Sequence, residues 1–166
     1  MGGSLTVESI QGEGSTFFLK LPLSGDQQIP FTISEPEYTE KKVYHWNNKK
    51  ILVAEDEYLN FKVIQIALEK TNAEIIRALD GQEAVEAVLM HQDIDLVLMD
   101  IQMPRMDGYE ALTRIKQINY HLPVIAQTAF AMIEEKGICL KLGFNDYISK
   151  PLNITELMIK IDKQLF

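Results

Sequence analysis

Four short apolar runs in this chain end in polar residues that are suited to binding or moving a charged group. These are Ile51–Ala54 before Glu55 and Asp56, Leu96–Met99 before Asp100, Val124–Ala126 before Gln127 and Thr128, and Tyr147–Ser149 before Lys150 and Pro151. Unbroken apolar runs are typical of strands covered on both faces, as in a parallel sheet. Ligands of open α/β sheets bind just outside the carboxyl ends of the strands. The pattern therefore predicts a site at that edge.

Helical patterns lie between the strands, and a further strand is expected over Glu74–Ala78. The spacing of Asp80 and Glu83, repeated by Asn153 and Glu156, is that of a capping box at the start of a helix. Helices are expected at five places: one that includes Val63–Leu68 and ends near Lys70, one from Asp80, one from Asp107, one over Met132–Leu142 and one from Asn153. Five strands alternating with five helices indicate an α/β fold, a doubly wound parallel sheet with helices on both faces.

The polar residues at the strand ends suit phosphoryl chemistry. Glu55, Asp56 and Asp100 in one cleft would raise one another's proton affinity unless a cation offsets the repulsion. Mg2+ (or Mn2+) is expected, because Mg2+ prefers oxygen ligands and is often held by carboxylates together with phosphate. Asp100 is then free to act as a nucleophile and form an aspartyl phosphate. Lys150 and the Thr128 hydroxyl would meet the charge on the transferred oxygens.

Each of these residues also has an ordinary structural explanation. A strand-end Asp or Thr often caps a helix, and a lone Lys is usually solvated. Such residues at the ends of four of the five expected strands favour the functional interpretation.

The composition limits the class of protein. Of 166 residues, 46% are hydrophobic, so a globular domain with a substantial core is expected. The net charge of −8 argues against a nucleic-acid surface, which needs clustered Lys and Arg. The single cysteine, Cys139, indicates a thiol in a reducing compartment. No apolar run approaches the ~18 residues of a membrane span. We therefore expect a cytoplasmic fragment without direct membrane contact.

The first 48 residues differ from the rest. Two runs of β-branched and aromatic residues around glycines, Leu5–Ile10 and Ser15–Leu21, predict a β-hairpin, which is marginal by itself in water. Residues 24–48 have neither a helix nor a strand period, so an interdomain linker is expected. Within it, we expect Trp46 to be a loosely packed aromatic in a solvated segment.

Residues 49–166 resemble the receiver domain of two-component response regulators. The resemblance rests on Glu55–Asp56, on Met99–Asp100-x-x-Met103–Pro104-x-Met106–Asp107–Gly108, on Thr128 before Ala129, and on Lys150–Pro151. It implies a flavodoxin-like sheet of order 2-1-3-4-5, a cis bond before Pro151, and a metal held by Asp56, Asp100 and the backbone carbonyl of Gln102. It also implies that Glu55 meets the metal through water and that Thr128 and Tyr147 form a switch.

Glu55, where many receivers have Asp, resembles the receivers attached to hybrid sensor histidine kinases. Residues 1–23, through Gly12-x-Gly14 to Leu23, resemble the last glycine box and closing strands of the ATP-binding domain of such kinases. The earlier boxes of that domain are absent. The resemblance implies three regions: 1–23 as the incomplete end of an ATP-binding domain, 24–48 as a linker, and 49–166 as a receiver domain.

The implied function is a phosphorelay receiver that takes a phosphoryl group onto Asp100 from a phosphohistidine on a kinase or phosphotransfer domain. Phosphorylation would alter the surface formed by the fourth helix, fifth strand and fifth helix of the receiver. The same surface is the candidate interface for a homodimer. The fragment itself is not expected to be a kinase. Its parent is expected to be a hybrid sensor kinase that is either cytoplasmic or anchored in a membrane.

The residues alone are also compatible with two other functions. One is a magnesium-dependent phosphohydrolase of the haloacid dehalogenase type, although Gln102 stands where such enzymes have a second Asp. The other is a receiver-like docking module that works without phosphorylation, although none of the acids, the Thr or the Lys is lost.

Overall fold

The computed structural model describes residues 3–10, 14–22, 42–129 and 139–166. The chain divides into two compact units, Met1–Glu40 and Lys41–Phe166. Each unit has a sheet of its own, with two strands in the first and five in the second.

The first unit contains the expected hairpin. Strands β1 (Ser4–Ile10) and β2 (Gly14–Lys20) pair antiparallel, with Leu5 opposite Leu19 and Val7 opposite Phe17. These four side chains share one face because side chains alternate along a strand. All residues of both strands are exposed, Phe17 by 68%. The turn that joins the strands lies outside the described residues.

The second unit is built on the five-stranded parallel sheet that the sequence predicts. Its strands are β3 (Lys50–Ala54), β4 (Glu74–Ala78), β5 (Leu96–Asp100), β6 (Val124–Thr128) and β7 (Asp146–Ser149). Their spatial order is β4-β3-β5-β6-β7. Counted from the first strand of this unit, that is the order 2-1-3-4-5, so the flavodoxin-like α/β topology is confirmed.

Three of the described helices begin at the expected capping residues Asp80, Asp107 and Asn153, whereas the first begins without a side-chain cap. The helices are α1 (Tyr58–Leu68) with a 3-10 turn (Glu69–Thr71), α2 (Gly81–Met90), α3 (Gly108–Ile118) and the C-terminal helix (Ile154–Leu165). The side chains of Asp80, Asp107 and Asn153 each accept a hydrogen bond from the backbone N–H three residues on. Residues 139–142 are helical too. The remainder of the helix expected over Met132–Leu142 lies outside the described residues.

The sheet separates two hydrophobic clusters. Along β5 the side chains alternate: Val97 and Met99 pack with α2 and α3, whereas Leu96 and Leu98 pack with α1 and the C-terminal helix. All five residues of β5 are buried, and so are all five of β6. This double coverage explains why the strands read as continuous apolar runs. In the ranges described, no helix is long and apolar enough to cross a membrane.

The expectation that Trp46 is loosely packed was wrong. Its side chain is 0% exposed and belongs to the cluster between the sheet, α1 and the C-terminal helix. The indole Nε1 donates to Asp162 Oδ1 at 3.0 Å, and the backbone N–H donates to the Thr71 carbonyl at 2.6 Å. Residues 42–48, here called the strap, are therefore packed against the rest of the second unit through Trp46. The strap has neither a helix nor a strand period, so the sequence pattern could not show this.

The strap also carries a charge contact to the C-terminal helix. Lys42 Nζ lies 2.7 Å from Asp162 Oδ2, and Tyr44 and Trp46 have ring centroids 5.4 Å apart. The hydrogen bond from Lys42, and after it the one from Trp46, hold the pKa of the Asp162 carboxyl below its ordinary value of 3.8.

Candidate functional site: an acidic pocket at the sheet edge

The acidic pocket consists of Glu55, Asp56 and Asp100. Strands β3 and β5 are paired neighbours with Ala54 opposite Met99, so the residues that follow them emerge side by side. One carboxylate oxygen from each acid lies within 4.8 Å of the other two. Glu55 is fully buried, Asp100 is 4% exposed, and Asp56 is exposed. The three acids that the sequence singled out therefore meet in one pocket with an open side.

Lys150 reaches the pocket from the end of β7. The bond to Pro151 is cis, as the resemblance implied. Lys150 Nζ lies 2.7 Å from Glu55 Oε2 and 2.5 Å from Asp100 Oδ2. Burial by itself lowers the pKa of the ammonium, but hydrogen bonds to Asp100 and Glu55 outweigh it and raise the pKa above its ordinary value of 10.5. Lys150 is therefore a permanent positive charge at neutral pH.

Two residues that the sequence interpretation missed hold the acidic pair. Asn60 Nδ2, in the first turn of α1, donates to Glu55 Oε1 at 3.0 Å. Arg77 donates to the backbone carbonyls of Glu55 and Asp56 at 3.2 and 3.0 Å, and its guanidinium carbon lies 4.6 Å from the centroid of the Phe61 ring. The position of Arg77 beside the apolar residues of strand β4 is the sequence feature that indicates a specific role for this charge. Nothing in the sequence pattern marked Asn60.

The backbone after β5 turns back against the strand end. The Gln102 N–H donates to Asp100 Oδ1 at 3.0 Å, and the Gly108 N–H donates to the Ile101 carbonyl at 3.0 Å. Only glycine fits at position 108, since a Cβ there would collide with the Asp100 carbonyl oxygen. In the part of the chain that the structure describes, no backbone N–H is found to donate to the Gln102 carbonyl.

Thr128 and Tyr147 lie on neighbouring strands. Tyr147 is opposite Ala126, two residues before Thr128, so alternation places both side chains on the same face of the sheet. Thr128 is 5% exposed and Tyr147 is half-buried. Lys160 Nζ, on the C-terminal helix, lies 4.8 Å from the Tyr147 ring centroid and 2.6 Å from Asp146 Oδ1. The tyrosine is thus linked to the C-terminal helix.

The pocket has the donor set of a hard divalent cation. Its ligand atoms are carboxylate oxygens, and three carboxylates against one ammonium leave two formal negative charges. Mg2+ and Mn2+ prefer such oxygen ligands, and the exposed Asp56 leaves room for the water ligands that Mg2+ retains. The residues present therefore fit the metal that the sequence predicted.

The fold and the pocket together define a flavodoxin-like α/β domain whose carboxyl edge is equipped for phosphoryl chemistry. A family model described as "Response regulator receiver domain" matches residues 51–162. The sensor histidine kinase RcsC of Escherichia coli (strain K12) is 39% identical over 116 residues, which cover 70% of this chain and 12% of RcsC. The sensor protein EvgS of the same organism is 31% identical over 157 residues, which cover 95% of this chain and 13% of EvgS.

A chain in the crystal structure of the CheX-CheY-BeF3-Mg+2 complex from Borrelia burgdorferi has a similar fold. The TM-score is 0.67 at 28% identity, and the match covers 71% of this chain and 90% of that one. This chain therefore belongs to the response regulator receiver domain family. It is a receiver domain of two-component signalling, in a family that generally binds Mg2+ at an acidic pocket and accepts phosphoryl groups from histidine-containing partners.

The comparisons support the receiver interpretation and give no support to the phosphohydrolase alternative. The chain spans much less than half of the length of these two curated relatives. What those whole proteins do is therefore not transferred to it.

Proposed function

We propose that this chain takes a phosphoryl group onto Asp100 from a phosphohistidine of a kinase or phosphotransfer domain. The observation that carries the proposal is the position of Asp100, a nearly buried acid in one pocket with two further acids and an ammonium 2.5 Å from its Oδ2. In the transfer, an Asp100 carboxylate oxygen forms the new P–O bond while the P–N bond to the donor imidazole breaks. The bonding pair leaves with the imidazole nitrogen.

The surrounding residues would hold the metal and meet the charge. Asp56, Asp100 and the Gln102 carbonyl would bind Mg2+ or Mn2+, with Glu55 acting through water. The bound metal supplies positive charge to the phosphoryl oxygens. Lys150, already 2.5 Å from Asp100, is within reach of an oxygen of a group attached there. The Thr128 hydroxyl would donate to another such oxygen.

The structural change caused by phosphorylation of Asp100 would be transmitted through Thr128 and Tyr147. A phosphoryl group on Asp100 draws the Thr128 hydroxyl toward its oxygens, and the Tyr147 ring turns into the space that opens. Its contact with Lys160 must then change, which affects the surface formed by residues 139–142, β7 and the C-terminal helix. Such a switch is a two-state element biased by local electrostatics. The same surface is the candidate interface for a homodimer.

The parent protein is proposed to be a cytoplasmic or membrane-anchored hybrid sensor histidine kinase with this receiver in the cytoplasm. A match with EvgS over 95% of the chain must include residues before 51. The exposed apolar face of the hairpin, which includes Val7 and Phe17, is what a piece of a larger sheet would present. These observations support residues 1–23 as the end of an ATP-binding domain. A linker over 24–48 and the receiver domain over 49–166 complete the proposed division, with residues 42–48 of the linker packed on the receiver domain through Trp46.

Phosphoryl acceptance is tested with intact-protein mass spectrometry. The chain is incubated with Mg2+ and a small phosphodonor such as acetyl phosphate, and a single phosphoryl adduct is expected. Asp100→Asn should lose the adduct. The matched control Asp93→Asn changes an exposed aspartate that pairs with Lys50, and it should keep the adduct. An adduct that persists in Asp100→Asn would show that another residue is the acceptor.

A further inference from the structure

The loop between β5 and α3, residues 101–107, contains a strained turn. The Met106 N–H donates to the Pro104 carbonyl at 2.6 Å, and Arg105 between them has a φ of 62°. A hydrogen bond that closes around one residue with positive φ is a γ-turn, which is rare and strained. Because Arg105 has a β-carbon, the conformation requires contacts elsewhere that hold it in place.

The side chain of Arg105 makes those contacts. Its guanidinium forms an ion pair with Asp80, whose side chain is 0% exposed, and lies 2.9 Å from Glu83 Oε1. Both acids are themselves fixed. Asp80 Oδ1 accepts a hydrogen bond from the Glu83 N–H at 2.9 Å, and Glu83 Oε2 accepts one from the Leu79 N–H at 2.8 Å. Arg105 therefore bridges the loop to two anchored carboxylates at the start of α2.

The backbone reinforces this bridge. The Gly81 N–H donates to the Met106 carbonyl at 3.0 Å, and a Cβ on Gly81 would lie 2.6 Å from the same oxygen. The loop thus lies directly against the first residue of α2. The same loop carries Gln102, whose N–H is bonded to Asp100 Oδ1. Gln102 and Arg105 therefore belong to one short loop that is bonded to Asp100 near its start and to α2 near its end.

We propose that Arg105 is a positioning residue for the metal site: by bridging to Asp80 and Glu83, it holds residues 101–107 in the conformation that makes the Gln102 carbonyl available to the acidic pocket. This inference rests on the proposed function, in which that carbonyl is a metal ligand. Without the bridge, the strained turn relaxes in part of the molecules. The apparent affinity for Mg2+ then falls with the fraction that stays competent.

The experiment is a calorimetric Mg2+ titration of the full chain, paired with thermal melts in the absence of Mg2+. Arg105→Ala should raise the Kd for Mg2+ by about fivefold or more. Arg114→Ala is the matched control, because it removes an exposed ion pair with Glu110 on α3 and leaves the loop untouched. Its Kd should stay within about twofold of the wild-type value. Arg105→Lys should be intermediate, since a lysine is a point charge and cannot match two carboxylates as a guanidinium does.

Arg105→Gly separates positioning from simple stabilisation. Glycine adopts positive φ without strain, so this variant should melt closer to the wild type than Arg105→Ala does. Its Kd should still lie above the wild-type value, because the bridge is gone, but the rise should be smaller than in Arg105→Ala, because glycine removes the strain that drives the turn to relax. It also provides a folded test protein should Arg105→Ala fail to fold.

The outcomes distinguish this inference from the proposed function. If Mg2+ binding is lost in Asp56→Ala but Arg105→Ala and Arg105→Gly keep the wild-type Kd, Arg105 only stabilises the fold and this inference is wrong. If the wild-type chain does not bind Mg2+, or binds it equally well in Asp56→Ala, the proposed metal site and this inference both fail.

Discussion

Replacement of Trp46 should cost a large part of the stability of the second unit. The side chain is 0% exposed within an apolar cluster and donates a hydrogen bond to Asp162. Truncation of a buried Trp to Ala typically costs about 3–5 kcal/mol. Domains have free energies of unfolding of only about 5–15 kcal/mol, so Trp46→Ala should lower the melting temperature by roughly 10 °C or more. Trp46→Phe keeps most of the apolar contact but loses the N–H donor, and should cost about 1–2 kcal/mol.

Urea unfolding of the full chain, followed by far-UV circular dichroism, measures these differences without relying on the fluorophore that is removed. His45→Ala is the matched control, since His45 adjoins Trp46 and is exposed. It should change the free energy of unfolding by less than about 0.5 kcal/mol. If Trp46→Ala costs no more than His45→Ala, the strap does not contribute to the stability of the second unit, and the reasoning from its burial is refuted.

Two further predictions concern the C-terminal helix and the switch. Because the folded-state pKa of Asp162 is lowered, its stabilising effect should be complete above the ordinary pKa of 3.8 and should be lost as the pH falls through the folded-state value. The advantage of the wild type over Asp162→Asn in chemical unfolding should be under about 1 kcal/mol, since Lys42 is 66% exposed. A difference that does not change with pH would contradict the ionic contribution. Addition of beryllofluoride with Mg2+ should shift backbone NMR signals over residues 139–166, and these shifts should shrink in Thr128→Ala; equal shifts in both proteins would exclude Thr128 as the link.

The sheet and the pocket could be predicted because their signals are local. Each strand of the second unit is a short run of residues, and the polar residue that matters follows it directly, as Asp100 follows Leu96–Met99. The topology of a parallel sheet then brings those strand ends to one edge without any information on tertiary contacts. The helix caps Asp80 and Asn153 were predictable for the same reason.

Most of what the sequence did not reveal depends on partners far away in the chain. Trp46 is buried by residues of α1 and the C-terminal helix, and no spacing within residues 42–48 records that. Arg77 donates to the Glu55 carbonyl from a neighbouring strand. The ion pairs of Arg105 with Asp80 and Glu83 join the loop after β5 to the start of α2. Asn60 is only five residues from Glu55, but no motif or period marks its contact. Such contacts follow from the assembled fold rather than from propensity or period.

The close approach of Gly108 to Asp100 has a mechanical consequence. A side chain at position 108 would collide with the Asp100 carbonyl, and the Gly108 N–H is bonded to the Ile101 carbonyl at 3.0 Å. The first turn of α3 therefore cannot slide along the sheet without carrying the Asp100 main chain with it. On the other flank, Tyr147 meets the C-terminal helix through the end of the Lys160 side chain. Under the proposed switch, α3 would therefore keep its place against β5, and the change would be expected at β7 and the C-terminal helix.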